Sequence, residues 1–321
     1  MYPLFSEYDM KIWINAPFSA ENMGLIKSAA VGCEVFSGTE TVPGAEIIVG
    51  QPPENLSGVK LLQSTNAGVE KLLSVIPEDV IITNVTGAFG GVISEYIIGG
   101  VLALSRKLFQ YREQQRRHIW QEIPQENLLY ARNTLILGCG DIGTSTAEKL
   151  HAFGMNVTGI RRSPVPTHGF DRVFGMDMLE ELLPETDLLI CCLPHTPETA
   201  GLLSEKQIAL LKRGALLVNV GRGSLINETA LITALKSGNI SGAVLDVFAQ
   251  EPLPESSPLW DMENVLVTPH ISGPSFGHFP EVERRIAEIC ADNISRYISG
   301  KQLVNVIDRS SGYADRENCN G

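Results

Sequence analysis

Asn133-Thr-Leu-Ile-Leu-Gly138-Cys-Gly140-Asp-Ile-Gly143 is the stretch that decides the fold. A short apolar run, Leu135 to Leu137, enters a glycine-rich turn, and Thr144 to Leu150 continues at helical spacing. Strand, turn and helix in that order are the context in which Gly-x-Gly-x-x-Gly predicts a dinucleotide site. Gly138 permits the tight turn, Gly140 lets the backbone approach a pyrophosphate, and Gly143 lets helix and strand pack closely. The N–H groups and positive dipole end of the following helix then hold the anion. Asp141 and Ile142 complete the expected cofactor turn. Glycine-rich turns are common in α/β proteins, so the motif by itself leaves an ordinary turn open.

The 321 residues give room for two domains of ordinary size. Apolar residues make up 44 % and charged ones 19 %, the balance of a globular protein with a substantial core. No apolar run reaches the roughly 18–20 residues of a membrane span. The segment Met1 to Asp9 is acidic where a signal peptide would be basic, and a cytoplasmic protein is expected. With 25 basic and 37 acidic residues the formal charge is −12, which argues against nucleic acid or an anionic membrane as partner. An anionic substrate therefore needs a locally positive pocket. The six cysteines (Cys33, Cys139, Cys191, Cys192, Cys290, Cys319) show no metal-ligand spacing and read as reduced thiols; no metal is expected.

Working outward, strands are expected at Met10–Asn15, Cys33–Phe36, Glu46–Val49, Val59–Gln63 and Val80–Val85. Helical spacing at Ala20–Ala30 and Ala67–Leu73 separates some of them, which implies a parallel, doubly wound sheet. This first unit lacks a phosphate-binding glycine turn. One long helix, from about Val92 to Gln115, is expected to pass from one domain to the other, with Arg112 to His118 as its solvated basic end or a strap across a dimer partner. A second βα series follows, with six strands at Leu135–Leu137, Val157–Ile160, Leu188–Leu193, Leu216–Val220, Ala243–Val247 and Val265–Thr268. Helices are read at Ser204–Lys212 and Thr229–Lys236. An amphipathic helix, Glu281 to Ser299, and a short strand, Val304–Ile307, are expected to return to the first domain, and Arg309 to Gly321 to be disordered.

The second strand of the cofactor unit ends Gly159-Ile160-Arg161-Arg162-Ser163. An NAD-binding unit places an acid near this point for the ribose hydroxyls, and here there is none. Guanidinium groups bind a 2′-phosphate that a carboxylate would repel, so NADP(H) is favoured, with NAD possible. Two solvent-exposed arginines without a ligand are the competing reading.

Four further segments resemble the D-isomer-specific 2-hydroxyacid dehydrogenases. They are Leu193-Pro-His195-Thr-Pro-Glu-Thr-Ala-Gly-Leu202, Asn219-Val-Gly-Arg222-Gly223, Leu245-Asp246-Val-Phe-Ala-Gln-Glu251-Pro-Leu-Pro254 and Val267-Thr-Pro-His270-Ile-Ser-Gly273. They follow the glycine motif in the family's order, and weaker similarity at Ser64–Val69 and Ser94-Glu95 extends the resemblance over residues 45 to about 300. The resemblance implies an α/β fold of two doubly wound parallel-sheet domains. A Rossmann cofactor domain (97–282) would be inserted into a flavodoxin-like substrate domain (1–96 plus 283–321), with the active site in the cleft. A homodimer through the cofactor domains is the family expectation.

Reduction of a 2-oxo acid needs a hydride, a proton for the developing alkoxide and a cation for the carboxylate. Arg222 follows the strand at 216–220, outside the carboxyl end where ligands bind in open α/β sheets, and can contact a carboxylate or carbonyl at two points. His270 can carry a proton near neutral pH, and a carboxylate at Glu251 would favour its charged form and orient the ring. By resemblance Arg222 binds substrate and lies beside the cofactor, and Glu251 and His270 form the catalytic pair. The resemblance also places Asp246 near the nicotinamide carboxamide, although a strand-end acid capping a turn fits its position equally. Pro194, Thr196, Thr199 and Val220 are expected along the cofactor edge. Asn66, Ala67 and Gly68 match the loop whose backbone N–H groups meet the substrate carboxylate, with an ordinary strand-to-helix turn as the alternative. His195 stands where relatives commonly carry an apolar residue and is given no part in proton transfer. Substrate side-chain specificity is expected around Gly50–Pro53, Phe89 and Trp260–Ser275.

The reading is an NADPH-preferring reductase of a small 2-oxo acid, with glyoxylate and hydroxypyruvate as the first substrates to try. A phosphoglycerate-dehydrogenase-like enzyme and a dinucleotide-sensing corepressor-like binding protein are the alternatives.

Overall fold

The computed structural model describes residues 10–124 and 128–314; the acidic segment 1–9, Cys319 and the end of the polar tail lie outside them. The first βα series comprises β1 (Met10–Ile14), α1 (Ala20–Ala29), β2 (Cys33–Ser37), β3 (Ile47–Val49), β4 (Leu61–Gln63), α2 (Glu70–Leu73) and β5 (Ile81–Thr83). Then come α3 (Gly90–Ser105), α4 (Leu108–Arg116), β6 (Asn133–Leu137), α5 (Asp141–Ala152), β7 (Asn156–Ile160) and β8 (Arg172–Phe174). They are followed by α6 (Leu179–Leu182), β9 (Leu188–Cys191), α7 (Glu205–Leu210), β10 (Ala215–Asn219), α8 (Glu228–Lys236), β11 (Ile240–Leu245) and β12 (Val265–Val267). The chain closes with α9 (Pro280–Ile298), β13 (Ile307–Asp308) and β14 (Tyr313–Ala314).

Two compact units result. One holds the described residues up to Ala88 and from Pro274 onward, and the other is Phe89–Gly273. The first unit carries a five-stranded parallel sheet in the order β2-β1-β3-β4-β5, the flavodoxin-like winding. Its central strands β3 and β4 are buried along their whole length, which is why β3 reads as an unbroken apolar run instead of an alternating one, while β4 ends in a buried amide, Gln63. Helix α1 packs on α9, so the C-terminal helix belongs to this unit as expected.

The second unit carries a seven-stranded parallel sheet, β12-β11-β10-β9-β6-β7-β8. Chain order reverses at β6, which pairs with β7 on one side and β9 on the other. That is the Rossmann winding, with β8 as an edge strand that the reading of six strands lacks. Arg172 is exposed and Val173 and Phe174 are only partly covered, so no apolar run announces that strand.

The single long helix expected over 92–115 is two helices, both in the second unit. Lys107 takes a left-handed conformation (φ 55°) between them. The cause is visible in the burial pattern. Helix α3 buries a stripe ending at Leu104 and Ser105, with Gly100 so close to Val244 of β11 that a Cβ would stand 2.8 Å from a valine methyl. Helix α4 buries no residue, so no packing continues the α3 axis through it. Its basic end is solvated, with Glu113 facing Arg116 and Arg117 across 3.8 and 3.6 Å of exposed surface. The unit boundaries fall at 88/89 and 273/274, ahead of 96/97 and 282/283, because α3 packs against α5 and β11 from its start. Residues Arg309 to Ala314 of the tail expected to be disordered pack on the first unit. Arg309 donates to the carbonyls of Ile76 and Val80 at 2.9 Å, and β13 pairs antiparallel with β14.

Candidate active site

The glycine turn leaves β6 at the point where strand order reverses, the place where open α/β sheets bind ligands. Gly138 has φ +105°, a region closed to most side chains, and its N–H donates to the Ile160 carbonyl of β7 at 2.9 Å. A Cβ on Gly143 would lie 2.0 Å from the Gly138 carbonyl oxygen, so helix α5 reaches the turn only with glycine there. Gly140 is the N-cap of α5 and has no side chain to occupy the first N–H groups of the helix. This cradle fits a pyrophosphate: bare backbone, a helix N-terminus, and no room for a Cβ at Gly143.

The side chain of Asp141 has partners of its own. Its carboxylate Oδ2 accepts from the N–H groups of Phe89 and Gly90 at 3.2 and 2.7 Å and so caps α3. What Asp141 offers a dinucleotide is its backbone. Ile142 follows it half-buried in the first turn of α5. At the end of β7, Arg161 is half-buried and donates from Nη1 to Thr167 Oγ1 at 3.1 Å, whereas Arg162 and Ser163 are exposed.

The loop after β9 holds itself together. Thr199 Oγ1 donates to the Pro194 carbonyl at 2.7 Å and accepts from the Thr196 N–H at 2.8 Å, and both threonines are buried. Thr199 therefore shapes the loop, on which Pro194 is half-buried. His195 is exposed, with Nδ1 2.8 Å from Ser224 Oγ.

After β10 the chain makes a turn that one buried side chain organises. Asn219 accepts from the Gly221 N–H and donates to the Arg222 carbonyl, both at 3.1 Å. Val220 is buried, and its N–H donates to the Cys191 carbonyl at 3.1 Å. A Cβ on Gly223 would lie 1.8 Å from the Phe248 carbonyl carbon, so the turn lies flat against the segment that leads to Glu251. Arg222 sits half-buried on it, and its Nη1 donates to the Gly221 carbonyl at 2.8 Å.

Glu251 and His270 meet. Glu251 Oε2 lies 3.0 Å from His270 Nδ1, and Glu251 Oε1 accepts from the Phe248 N–H at 3.0 Å. Burial would push the Glu251 carboxyl up, but the bonds from His270 and Phe248 and the charges of His270 and Arg222 hold it below the usual carboxylate range. The charges of Arg222 and His270 thus both act on Glu251. His270 has φ +55°, a strained setting for a residue with a Cβ.

The strain is held by Asp246. Its carboxylate is fully buried, accepting from Thr268 Oγ1 (2.6 Å) and the Ile271 N–H (2.9 Å) at Oδ1 and from the Ser272 N–H (2.9 Å) at Oδ2. The His270 N–H donates to the Asp246 carbonyl at 2.9 Å. Asp246 therefore caps the turn carrying His270, which is the strand-end role. Because the Thr268 hydroxyl proton goes to Asp246, Tyr96 of α3 must be the donor in its 2.5 Å contact with Thr268 Oγ1. Burial pushes the Tyr96 hydroxyl up to about 12, opposed by the Thr268 bond and reinforced by the Asp246 charge, so it stays protonated.

The family model for the D-isomer specific 2-hydroxyacid dehydrogenase NAD binding domain matches residues 98–272, more than half of the chain. This chain belongs to that family. It is 33 % identical over 287 residues to the glyoxylate/hydroxypyruvate reductase A of Yersinia enterocolitica, covering 85 % of this chain and 89 % of that one. A D-isomer specific 2-hydroxyacid dehydrogenase family protein from Aeromonas salmonicida superposes with a TM-score of 0.82 at 37 % identity, over 94 % of this chain and 99 % of that one. An NADPH-dependent glyoxylate/hydroxypyruvate reductase from Sinorhizobium meliloti, solved with NADP and sulfate, gives 0.80 at 28 %, over 95 % and 100 %. As a 2-hydroxyacid dehydrogenase the protein is an NAD(P)-dependent oxidoreductase, and the dinucleotide supplies or accepts a hydride when bound.

In this dehydrogenase the other unit carries the Asn66–Gly68 loop. Asn66 does not offer its N–H outward: it donates to Ser64 Oγ at 3.1 Å. Ala67 is exposed and Gly68 half-exposed. No helix among the described residues is long and apolar enough to cross a membrane, and no cluster there could hold a metal ion. The five described cysteines are free, and burial raises the Cys139 thiol of the glycine turn to about 11. Tyr96 and Asn219 escaped the sequence reading of the site. Asn219 lies inside a quoted motif, while Tyr96 lies within the helix expected from about Val92.

Proposed function

We propose that this dehydrogenase reduces a small 2-oxo acid, glyoxylate or hydroxypyruvate first, to the D-2-hydroxy acid with NADPH as hydride source. The observation that carries the reading is the Glu251–His270 pair at 3.0 Å on a turn that Asp246 locks in a strained conformation. With Nδ1 held by Glu251, His270 Nε2 is the nitrogen that delivers the proton to the forming alkoxide. Arg222 is the cation for the substrate carboxylate or carbonyl. The N–H groups of Ala67 and Gly68 are further carboxylate donors. Gly138, Gly140, Gly143 and the backbone of Asp141 and Ile142 hold the pyrophosphate, and Pro194 and Val220 border the nicotinamide end. Arg161, Arg162 and Ser163 receive the 2′-phosphate; the absence of an acid at the end of β7 supports NADPH over NADH.

A homodimer is part of the reading. Leu108, Ile119, Trp120, Leu128 and Tyr130 leave large apolar area exposed on α4 and the segment after it, with Trp120 wholly exposed. Free cysteines fit a cytoplasmic setting. The deciding experiment is NADPH oxidation with a panel of 2-oxo acids. Turnover of glyoxylate or hydroxypyruvate, with higher kcat/KM for NADPH than for NADH, is expected; tight dinucleotide binding without turnover of any 2-oxo acid refutes the reading.

A further inference from the structure

At the carboxyl ends of β4 and β5 the first unit buries a group of amides where an apolar core would be simpler to satisfy. Gln63 ends β4, Thr83 ends β5, and Asn293 projects from α9; all three are fully buried. Gln63 Oε1 accepts from Thr83 Oγ1 and Asn293 Nδ2, each at 2.7 Å. The next residue, Asn84, is 4 % exposed and uses every side-chain atom that can bond. Its Nδ2 donates to the Ala67 carbonyl at 2.8 Å, and its Oδ1 accepts from the Thr86 N–H at 3.0 Å.

Its backbone is fixed as well. The Asn84 N–H donates to the Asn305 carbonyl at 3.2 Å, and Asn305 Nδ2 donates to the Asn84 and Thr86 carbonyls at 3.4 and 2.9 Å. Asn305 does this from φ +55°, which asparagine tolerates better than most residues. A second hold comes from Ser275, whose Oγ bonds the Thr65 carbonyl and Asn66 Oδ1 at 3.2 and 3.1 Å.

We infer that Asn84, braced by Asn305, is a positioning residue that aims the Gly68 N–H group at the substrate carboxylate. The inference rests on the proposed 2-oxo acid reduction. Physically, gripping the Ala67 carbonyl fixes the Ala67–Gly68 peptide plane, and with it the direction of the Gly68 N–H. A loop left to choose its own peptide orientation would lose donors aligned in advance, and misplacement near 1 Å at a reacting site costs up to about a hundredfold. Buried polar networks hold geometry only when complete, and this one is.

The test compares wild type with Asn84→Asp, which keeps the acceptor and shape but removes the donor to Ala67. Asn305→Gly is the second variant: it accepts φ +55° and loses only the brace. Both are measured for KM and kcat with glyoxylate, for Ki of oxamate as a competitive carboxylate probe, and for NADPH Kd by fluorescence. KM and Ki are expected to rise together, about tenfold in Asn84→Asp and less in Asn305→Gly, with NADPH Kd unchanged. A purely structural role would instead lower the melting temperature and the active fraction while leaving KM and Ki alone. Wild-type turnover with KM and Ki within about twofold in both folded variants overturns the clamp alone. Wild-type protein that binds NADPH but reduces no 2-oxo acid overturns the functional reading and the inference with it.

Discussion

Glu251 Oε2 faces His270 Nδ1 across 3.0 Å, while the other carboxylate oxygen is tied to the Phe248 N–H. One end of the carboxylate is thus anchored to the backbone and the other orients the ring. Burial works against ionisation of Glu251, but its hydrogen bonds and the charges of His270 and Arg222 outweigh it and keep the carboxyl below its ordinary range. Glu251 therefore stays charged through the neutral range and does not itself titrate there. Glu251→Gln removes the charge and leaves a similar shape. The ring then loses its charged acceptor, and a charge-assisted hydrogen bond is worth roughly 1.5–3 kcal/mol, so kcat for reduction should fall by about ten- to a hundredfold. Turnover at saturating substrate checks this, and a kcat within about twofold of wild type would show that the pair is not coupled.

His270→Ala removes the proposed proton donor. General acid catalysis is worth roughly 10²–10⁴ in rate, and kcat for reduction should fall by at least the lower figure. NADPH affinity, read by fluorescence titration, should change little. Near-normal turnover would take His270 out of the mechanism.

Tyr96 reaches His270 only through others: its hydroxyl donates to Thr268, Thr268 to Asp246, and Asp246 caps the turn at Ile271 and Ser272. Groups that act in series do not contribute additively. Tyr96→Phe and Thr268→Val should each lower kcat several-fold, with the double variant no worse than Thr268→Val alone. Independent, multiplying losses in this double-mutant cycle would contradict a single chain of positioning.

Much of this arrangement was legible in the sequence, for reasons particular to each element. Strands β9 and β10 are buried at every position, so Leu188–Cys191 and Ala215–Val218 show as unbroken apolar runs. The glycines at 138 and 143 are dictated by a positive φ and by a 2.0 Å approach, constraints that only one residue type satisfies. Other features depend on partners far along the chain. Tyr96 and Thr268 are 172 residues apart, and Asn84 and Asn305 are 221 apart; no local pattern links either pair. The cap that the Asp141 side chain gives α3 was illegible for the same reason, since its partner Gly90 lies 51 residues away. The break at Lys107 carries no glycine or proline, and only the end of the buried α3 stripe explains it.

Arg161 and Arg162 stand where NAD-binding chains carry an acid. Arg161 is held in place by Thr167, which in turn donates to the Val165 carbonyl at 2.9 Å. Replacing both arginines by alanine removes the cations proposed for the 2′-phosphate. kcat/KM for NADPH should fall by about ten- to a hundredfold, each charge-assisted contact being worth roughly 1.5–3 kcal/mol at most, while the NADH value changes little. An unchanged NADPH to NADH ratio would refute the assignment.

Asp187 offers a stability test away from the chemistry. Its carboxylate accepts from the Asn133 N–H at 3.0 Å, pinning the start of β6, and pairs with Arg132 at 3.2 Å and Lys212 at 2.7 Å. Burial raises its carboxyl, but the Lys212 bond, the Asn133 N–H and the two cations together hold it below the ordinary range. A carboxyl depressed in the folded state stabilises fully above its unfolded-state value, about 3.9, and loses that contribution as pH falls through the lower folded value. Asp187→Ala should therefore cost about 1–3 kcal/mol at neutral pH, mostly from the stranded Asn133 N–H and the lost lysine bond. In urea melts the gap between variant and wild type should be constant from pH 8 to 5 and close only in strong acid, below about pH 4. A gap that persists undiminished in acid would mean that the loss is one of packing and not of the ionised carboxylate.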